Sequence, residues 1–359
     1  MRVYITKSWD RPDLLRQTPD SRGIWEDIQF TLDPVEECDY VIVLNRVPQP
    51  VTVCCPAEHV WLVMQEPPTE FQRARHRGIA CSHRVFTQDT TLLGQRYVHS
   101  QPALPWHVNR DYGYLVKCGV PEKSKRVSWI VSSVTYLAGH RARLSFLRQI
   151  QGRVDFDLYG KGFREIRDKW DGLAPYRYSI VVENFRNPYY WTEKIADCFL
   201  AWTMPIYYGC SRIEEYFPAE AMVRIDIGDV RQAAERIEEA IAGDVWRRRL
   251  DAIAEARRLV LNTHQFFPFV TREIRAYEAA SGSHPTRPEQ ITVSKRMRLW
   301  DACAVAASAF GWKQLSRLQR GLWCLTEGRR VWSDGRDRRT KGPAGARAQH
   351  GENDTRMPD

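Results

Sequence analysis

The chain of 359 residues lacks a hydrophobic run long enough to cross a bilayer. The longest late one, Ala302 to Trp312, ends after 11 residues, against roughly 20 for a spanning helix. The amino terminus, MRVYITKSWDRPD, meets Lys7 and Asp10 before an apolar signal-peptide core forms, so no secretion leader is expected. Cysteine is present without order. The nine residues are an odd number of scattered singles apart from Cys54 and Cys55, with no CxxC pair and no Cys/His group at zinc spacing. They read as reduced thiols of a cytoplasmic protein rather than a disulfide framework. No internal repeat is visible either, which removes the solenoid folds.

What is there is core material. Hydrophobic residues make up 43 % of the chain, with 13 Trp, 15 Tyr and 13 Phe, so a wholly disordered chain is excluded. The length suits two domains of roughly 100–200 residues each. The net charge of +9 is uneven: between Lys295 and Lys341 stand 12 basic residues against four acidic ones.

Short β-type runs open the chain: MRVYIT, YVIVLNRV from Tyr40, HVWLVMQ from His59 and HRVFTQ from His83. Polar or Pro-containing stretches separate them, as in an open α/β sheet. Gly, Pro and charge coincide in GVPEKSK, Gly119 to Lys125, which marks a domain junction. A second α/β unit follows. SWIVSSV, VDFDLYGKG and YRYSIVVEN read as strands, with HRARLSFLRQIQG as the helix between the first two. That order favours a parallel sheet with ligands at the carboxyl ends of its strands. RQAAERIEEAIA and WRRRLDAIAEARRLVLN are helices that close the unit. The expected domains are therefore 1–120, 121–280, a basic helical tail over 281–333, and a disordered, apolar-poor end over 334–359.

YYWTEKIADCFLAWTMPIYYG, Tyr189 to Gly209, carries the chemistry. Ile195, Cys198, Phe199 and Trp202 form an apolar stripe on a helix starting near Thr192, its candidate cap. A helix amino terminus offers free N–H groups and partial positive charge to a phosphate, and Lys194 adds a full charge. Glu193 can accept hydrogen bonds from a ribose or sugar diol. Spacing alone favours the plainer reading, in which Glu193 complements the helix dipole and Lys194 is solvated. Glu183 and Asn184 ending an apolar strand, with Tyr189 and Tyr190 before the helix, make the combination unusual.

YSIVVENFRNPYYWTEKIADCFLAWTMPIYYGCSRIEEYFPAEAMVRIDIGD resembles the carboxyl-terminal signature of the family 10 fucosyltransferases, the α-1,3/α-1,4 enzymes. In order it shows an apolar strand, Glu-Asn, Tyr, Thr-Glu-Lys, a helix, a Pro-Ile strand, a Tyr-Gly turn and Phe-x-Pro. The resemblance implies α/β architecture of the GT-B type, two Rossmann-like domains facing a central cleft. Acceptor would bind the first domain and GDP-sugar donor the second. Asn184, Tyr190, Glu193 and Lys194 match donor-binding positions. Arg143 matches the arginine that contacts the diphosphate, with Arg141 two residues away as a competitor. Phe185 stands where the family commonly has a small polar residue. The resemblance also implies an inverting transfer with a glutamate base after a strand of the first domain. VWLVMQEPPTEF offers Glu66, with Glu70 as the alternative. Gly160 and Gly162 in YGKG are weaker donor-contact candidates. No metal site and no required cofactor are implied, a divalent cation being at most stimulatory.

In RLWDACAVAASAFGWKQLSRLQRGLWCL, Trp312, Leu315, Leu318, Leu322 and Leu325 recur at helical spacing, interleaved with Lys313, Arg317 and Arg320. Such a helix suits a membrane surface, or packs on its own protein with its arginines solvated. Bacterial enzymes of the family carry comparable tails, which points to a lipid-linked glycan acceptor and a cytoplasmic protein at the inner face of the membrane. A basic tail with Trp also fits nucleic acid, but that reading leaves the Glu-Asn and Thr-Glu-Lys constellation unexplained.

Overall fold

The computed structural model describes residues 1–69, 82–281 and 287–294. The first part of the chain contributes β1 (Arg2–Lys7), β2 (Ile24–Trp25), β3 (Ile28–Thr31), β4 (Tyr40–Leu44), β5 (Val51–Cys55), β6 (Val60–Val63), β7 (Arg84–Thr87) and β8 (Tyr97–His99). Seven of these form one sheet in the order β2-β3-β1-β4-β6-β7-β8, parallel except for the β2–β3 pair. Every residue of YVIVL in β4 and VWLV in β6 is buried. Continuous apolar runs of this kind belong to strands covered on both faces.

Helix α1 (Tyr112–Lys117) leads to the second unit, with strands β9 (Lys125–Ile130), β10 (Asp157–Tyr159), β11 (Tyr176–Val182), β12 (Met204–Tyr208) and β13 (Val223–Arg224). Their order is β10-β9-β11-β12-β13 and every pairing is parallel. Helices α2 (Ala138–Ile150), α3 (Glu193–Leu200), α4 (Val230–Ala242), α5 (Val245–Arg248) and α6 (Leu250–Leu259) complete it, and α7 (Phe266–Ser281) follows. The strand order reverses between β9 and β11, the position where open α/β sheets take ligands. The chain is α/β with two Rossmann-like units, the architecture expected above.

Two segments pack on the sheet distant from them in sequence. Trp106, Val108 and Leu115 enter the core of the second unit beside Trp170, Ile195 and Phe199. Phe266, Phe267, Phe269, Val270 and Ile274 of α7 join Val3, Ile5, Tyr40 and Trp61 under the first sheet. Helix α7 thus belongs to the first core, although the sequence reading grouped residues to 280 with the second. Its Phe-rich start is an apolar face that the first sheet buries. Glu289–Val293, within the stretch expected as a helical tail, is strand β14, antiparallel to β5. The expected strand over VDFDLYGKG shrinks to Asp157–Tyr159, because Gly160 follows at φ +118°, outside the β region. The amphipathic stretch from Arg298 to Leu325 and the end over 334–359 lie outside the described residues.

The carboxyl ends of the two sheets meet. Asn187, past β11, donates its Nδ2 to the Gln88 carbonyl just past β7, at 2.6 Å. The His99 ring at the end of β8 stacks on Tyr189 with centroids 5.5 Å apart.

Candidate functional site

Thr192 caps α3 as its residue type predicts. Its backbone is extended, and Oγ1 accepts from the Lys194 N–H at 3.3 Å. The same hydroxyl binds Glu183, the last residue before the strand β11 opens into a loop. Glu183 Oε1 accepts from the Thr192 N–H at 2.9 Å and from its Oγ1 at 2.8 Å. Lys194 Nζ closes the ring, donating to Glu183 Oε2 at 3.1 Å and to Thr192 Oγ1 at 2.9 Å. A carboxylate with a fully buried side chain needs such partners, since an unpaired buried charge costs several kcal/mol. A Cβ at Gly209 would lie 2.6 Å from Glu183 Cγ and 2.4 Å from the Tyr207 hydroxyl, so only glycine lets β12 end this close.

Asn187 shapes the approach to the helix. Its Oδ1 accepts from the N–H groups of Tyr189 and Tyr190 at 2.9 and 2.7 Å. Tyr190, buried, then donates its hydroxyl to Asn184 Oδ1 at 3.2 Å, and the Asn184 amide lies 3.1 Å from His140 Nε2. His140 Nδ1 accepts from the Leu137 N–H at 3.3 Å, fixing the start of α2. Burial, helped by the nearby Arg143 charge, pushes the His140 pKa down to about 4, so the ring is neutral at physiological pH. Phe185 meets the Tyr190 ring edge-on, with centroids 5.8 Å apart.

Arg143 is 4 % exposed, whereas Arg141 is exposed and bonds the carbonyls of Thr135 and Tyr136. The only hydrogen bond of the Arg143 guanidinium among the described residues reaches Ser132 Oγ at 3.5 Å, and its buried Nε has no partner. Burial weakens its hold on the proton, opposed by the negative charges of Glu183 and Glu193. A buried guanidinium with unused donors beside a helix amino terminus is equipped for an anion.

Gly139 supports this arrangement from behind. A Cβ there would sit 1.9 Å from the Asn184 carbonyl oxygen. Gly139→Ala is expected to push the Asn184 loop outward and to cost about 1–3 kcal/mol, the usual range for overpacking, read by urea unfolding. Gly160 and Gly162, the weaker candidates, approach protein backbone and side chain rather than open space. Cβ atoms there would lie 2.1 Å from the Val131 carbonyl oxygen and 2.1 Å from Ser133 Oγ.

Glu193 is in a dense field. Its Oε1 lies 3.3 Å from Lys169 Nζ, 3.6 Å from Lys194 Nζ and 3.7 Å from His107 Nδ1. Burial pushes its pKa up, but Lys194, Lys169 and His107 outweigh burial and hold it well below the carboxylate range. Glu66, two residues beyond Met64 on the loop after β6, reaches this field from the first unit. Its side chain is exposed, while partial desolvation of the carboxyl by the protein around it, then the Glu193 charge, raises its pKa against the pull of Arg46 and Lys194. Glu66, Glu193, Lys194, Arg143, Asn184 and Tyr190 are thus brought to one region. Glu70 lies outside the described residues.

Sequence reasoning missed Lys169, Asp197, His107 and His140. Asp197 stands one helical turn after Glu193 and was within reach of a spacing argument; the others join only through the fold. One Asp-x-Asp spacing occurs, at Asp155 and Asp157. Asp157 starts β10, at the opposite end of the strands from the cluster, and accepts from the Tyr176 hydroxyl at 2.5 Å and Lys125 Nζ at 3.1 Å. On the other side of Gly209 a cavity of about 610 Å³ opens, lined by Arg186, Tyr208, Ser211, Arg224 and Arg236.

The family model "Glycosyltransferase family 10 (fucosyltransferase) C-term" matches residues 120–241. Over 112 residues the chain is 30 % identical to 4-galactosyl-N-acetylglucosaminide 3-alpha-L-fucosyltransferase 9 of Homo sapiens and of Mus musculus, which is 30 % of this chain and 30 % of each relative. Alpha-(1,3)-fucosyltransferase 4 of Bos taurus is 30 % identical over 111 residues, 29 % of this chain and 27 % of that one. The matched stretch spans less than a third of these relatives. A crystal structure of an alpha1,3-fucosyltransferase with GDP-fucose has a TM-score of 0.46 and 15 % identity, covering 80 % of this chain and 92 % of that one. Residues 120–241, which hold the ring of Glu183, Thr192 and Lys194, are thus similar to the carboxyl-terminal domain of the family 10 glycosyltransferases.

Proposed function

We propose that the protein is an inverting glycosyltransferase that moves L-fucose from GDP-fucose to a hydroxyl of a glycan acceptor. The observation that carries this reading is the cluster of a buried, under-bonded Arg143 and the Glu183–Thr192–Lys194 ring at the start of α3, inside a stretch that matches a fucosyltransferase family. Lys194 and Arg143 take the diphosphate, with the free N–H groups of α3 behind them. Glu193 accepts from the ribose diol. Asn184 and Tyr190 hold the sugar side.

In the transfer step the acceptor oxygen attacks the anomeric carbon as the bond from that carbon to the β-phosphate oxygen breaks. The bonding pair leaves with GDP, where the two cations stabilise it. The acceptor proton passes to the Glu66 carboxylate. A base with a raised pKa suits this task, because proton transfer is best driven when the base pKa approaches the working pH. The reading requires no cofactor. The acceptor is a lipid-linked glycan on this proposal, presented at a membrane surface that the basic tail engages; the sequence of the tail alone supports that part.

Calorimetric titration with GDP-fucose, GDP-mannose, UDP-galactose and GDP tests the donor. Wild-type protein is expected to prefer GDP-fucose. Lys194→Ala removes a charge-assisted contact of about 1.5–3 kcal/mol and is expected to weaken GDP-fucose by about 10–100-fold. Failure of any guanosine nucleotide to bind would end the proposal. Binding of GDP-mannose in preference to GDP-fucose would keep the transferase and change its sugar.

A further inference from the structure

We infer that Lys169 is a positioning residue for Glu193, fixing one oxygen of its carboxylate so that the other is presented to the ribose diol of the donor nucleotide. This rests on the donor reading above. Lys169 opens the turn Lys169–Gly172 that precedes β11, far from α3 in sequence. Its Nζ lies 3.0 Å from Asp197 Oδ2 and 3.3 Å from Glu193 Oε1, bridging two carboxylates one helical turn apart. Burial works against its charge, and the two carboxylates outweigh burial, so it stays a cation.

The contacts of Glu193 are one-sided. Lys169, Lys194 and His107 each come nearest to Glu193 at Oε1, and among the described residues no hydrogen bond reaches Oε2. The Glu193 side chain is 12 % exposed, against 1 % for Asp197. An ammonium that serves only stability would pair with the more buried Asp197 and stop there. Asp197 is already satisfied on its other oxygen, where Oδ1 accepts from the His107 and Val108 N–H groups at 2.7 and 3.3 Å. Lys169 is itself anchored. The preceding Asp168 accepts from the Trp170 N–H at 2.9 Å, the Asn109 N–H at 3.0 Å and Arg110 Nη1 at 2.9 Å. The ammonium is therefore held by a rigid corner, and Glu193 is oriented by it. Lys194 cannot do this alone, because its ammonium is also committed to Glu183 and Thr192.

A carboxylate so oriented distinguishes a diol from its absence, because two hydroxyl donors need an acceptor already in place. GDP and 2′,3′-dideoxy-GDP are the probes, with affinities read by calorimetry. Wild-type protein is expected to prefer GDP by at least about 10-fold, one charge-assisted hydrogen bond or more. Lys169→Met is expected to reduce that preference to about 3-fold or less while leaving the dideoxy affinity within about 2-fold of wild type. Lys169→Arg, which keeps the cation, is expected to retain most of the preference. An equal fall for both nucleotides in Lys169→Met would assign Lys169 a structural role and overturn the inference, as would an unchanged preference. Equal binding of both probes by wild type would remove the ribose from Glu193 and overturn it too. No binding of either probe would be failure of the donor reading itself. If Lys169→Met does not fold, loss of the preference in a folded Lys169→Arg overturns the inference and its retention supports it.

Discussion

Glu66→Gln is expected to lower turnover by about 10²–10⁴-fold, the usual worth of a positioned general base, while donor affinity stays the same or rises slightly. The amide has nearly the shape of the carboxyl and cannot take the acceptor proton. It also removes a negative charge from a region that holds the Glu193 carboxylate, so an anionic diphosphate meets no new repulsion. The pH profile carries the sign. Only the ionised carboxylate accepts a proton, and partial desolvation and the Glu193 charge raise the Glu66 pKa above its ordinary value. Turnover is therefore expected to fall as pH drops through a pKa higher than the roughly 4.3 of a free glutamate, and to level off above it. In Glu66→Gln that acid limb is expected to vanish from the residual rate. Steady-state assays from acid to neutral pH read both. Full activity in the variant would move the base elsewhere, with Glu70 next in line.

The second large effect falls on stability. Asp197→Ala is expected to cost about 3–5 kcal/mol, the range for breaking a buried ion pair from one side. The Asp197 side chain is 1 % exposed and gathers Lys169 together with the N–H groups of His107 and Val108. Alanine leaves a cation and two backbone donors short of partners at once. Asp197→Asn keeps an acceptor and the shape, so it is expected to lose about half as much. Urea unfolding of the three proteins, with the slope compared to check that the same surface unfolds, measures both. A loss below about 1 kcal/mol in the alanine variant would mean that water replaces the carboxylate, and that residues 107–108 are held by packing of Trp106 and Val108 alone.

The contrast between these two residues marks what was legible in the sequence. Glu66 follows an apolar run, and a carboxylate just past a strand is a visible feature. Thr192, Glu193 and Lys194 are legible for a similar reason: a cap, a first helical turn and an apolar stripe at i, i+3, i+4 and i+7 are local patterns. Strands β1, β4, β6, β7, β9, β11 and β12 were visible as apolar runs. Those that went unread, β2, β3, β5, β8, β13 and β14, are short or carry polar residues, and β5 finds its partner in β14 more than two hundred residues later. Helix α7 was misassigned because a Phe-rich face specifies burial without naming the sheet that buries it.

The sequence by itself determined the α/β class, the position of the helix that begins at Thr192 and the chemical character of its first turn, because backbone propensity, capping and hydrophobic period act over a few residues. Tertiary structure alone decided which charges neighbour one another. Lys169 and Glu193 are 24 residues apart and His107 and Asp197 are 90 apart, and their pairing depends on how β11 and the segment around Trp106 are packed. It also decided that Arg143 faces inward with unused donors while Arg141 faces out, since two residues of helix separate them by about 200° and only the core establishes which side is the interior.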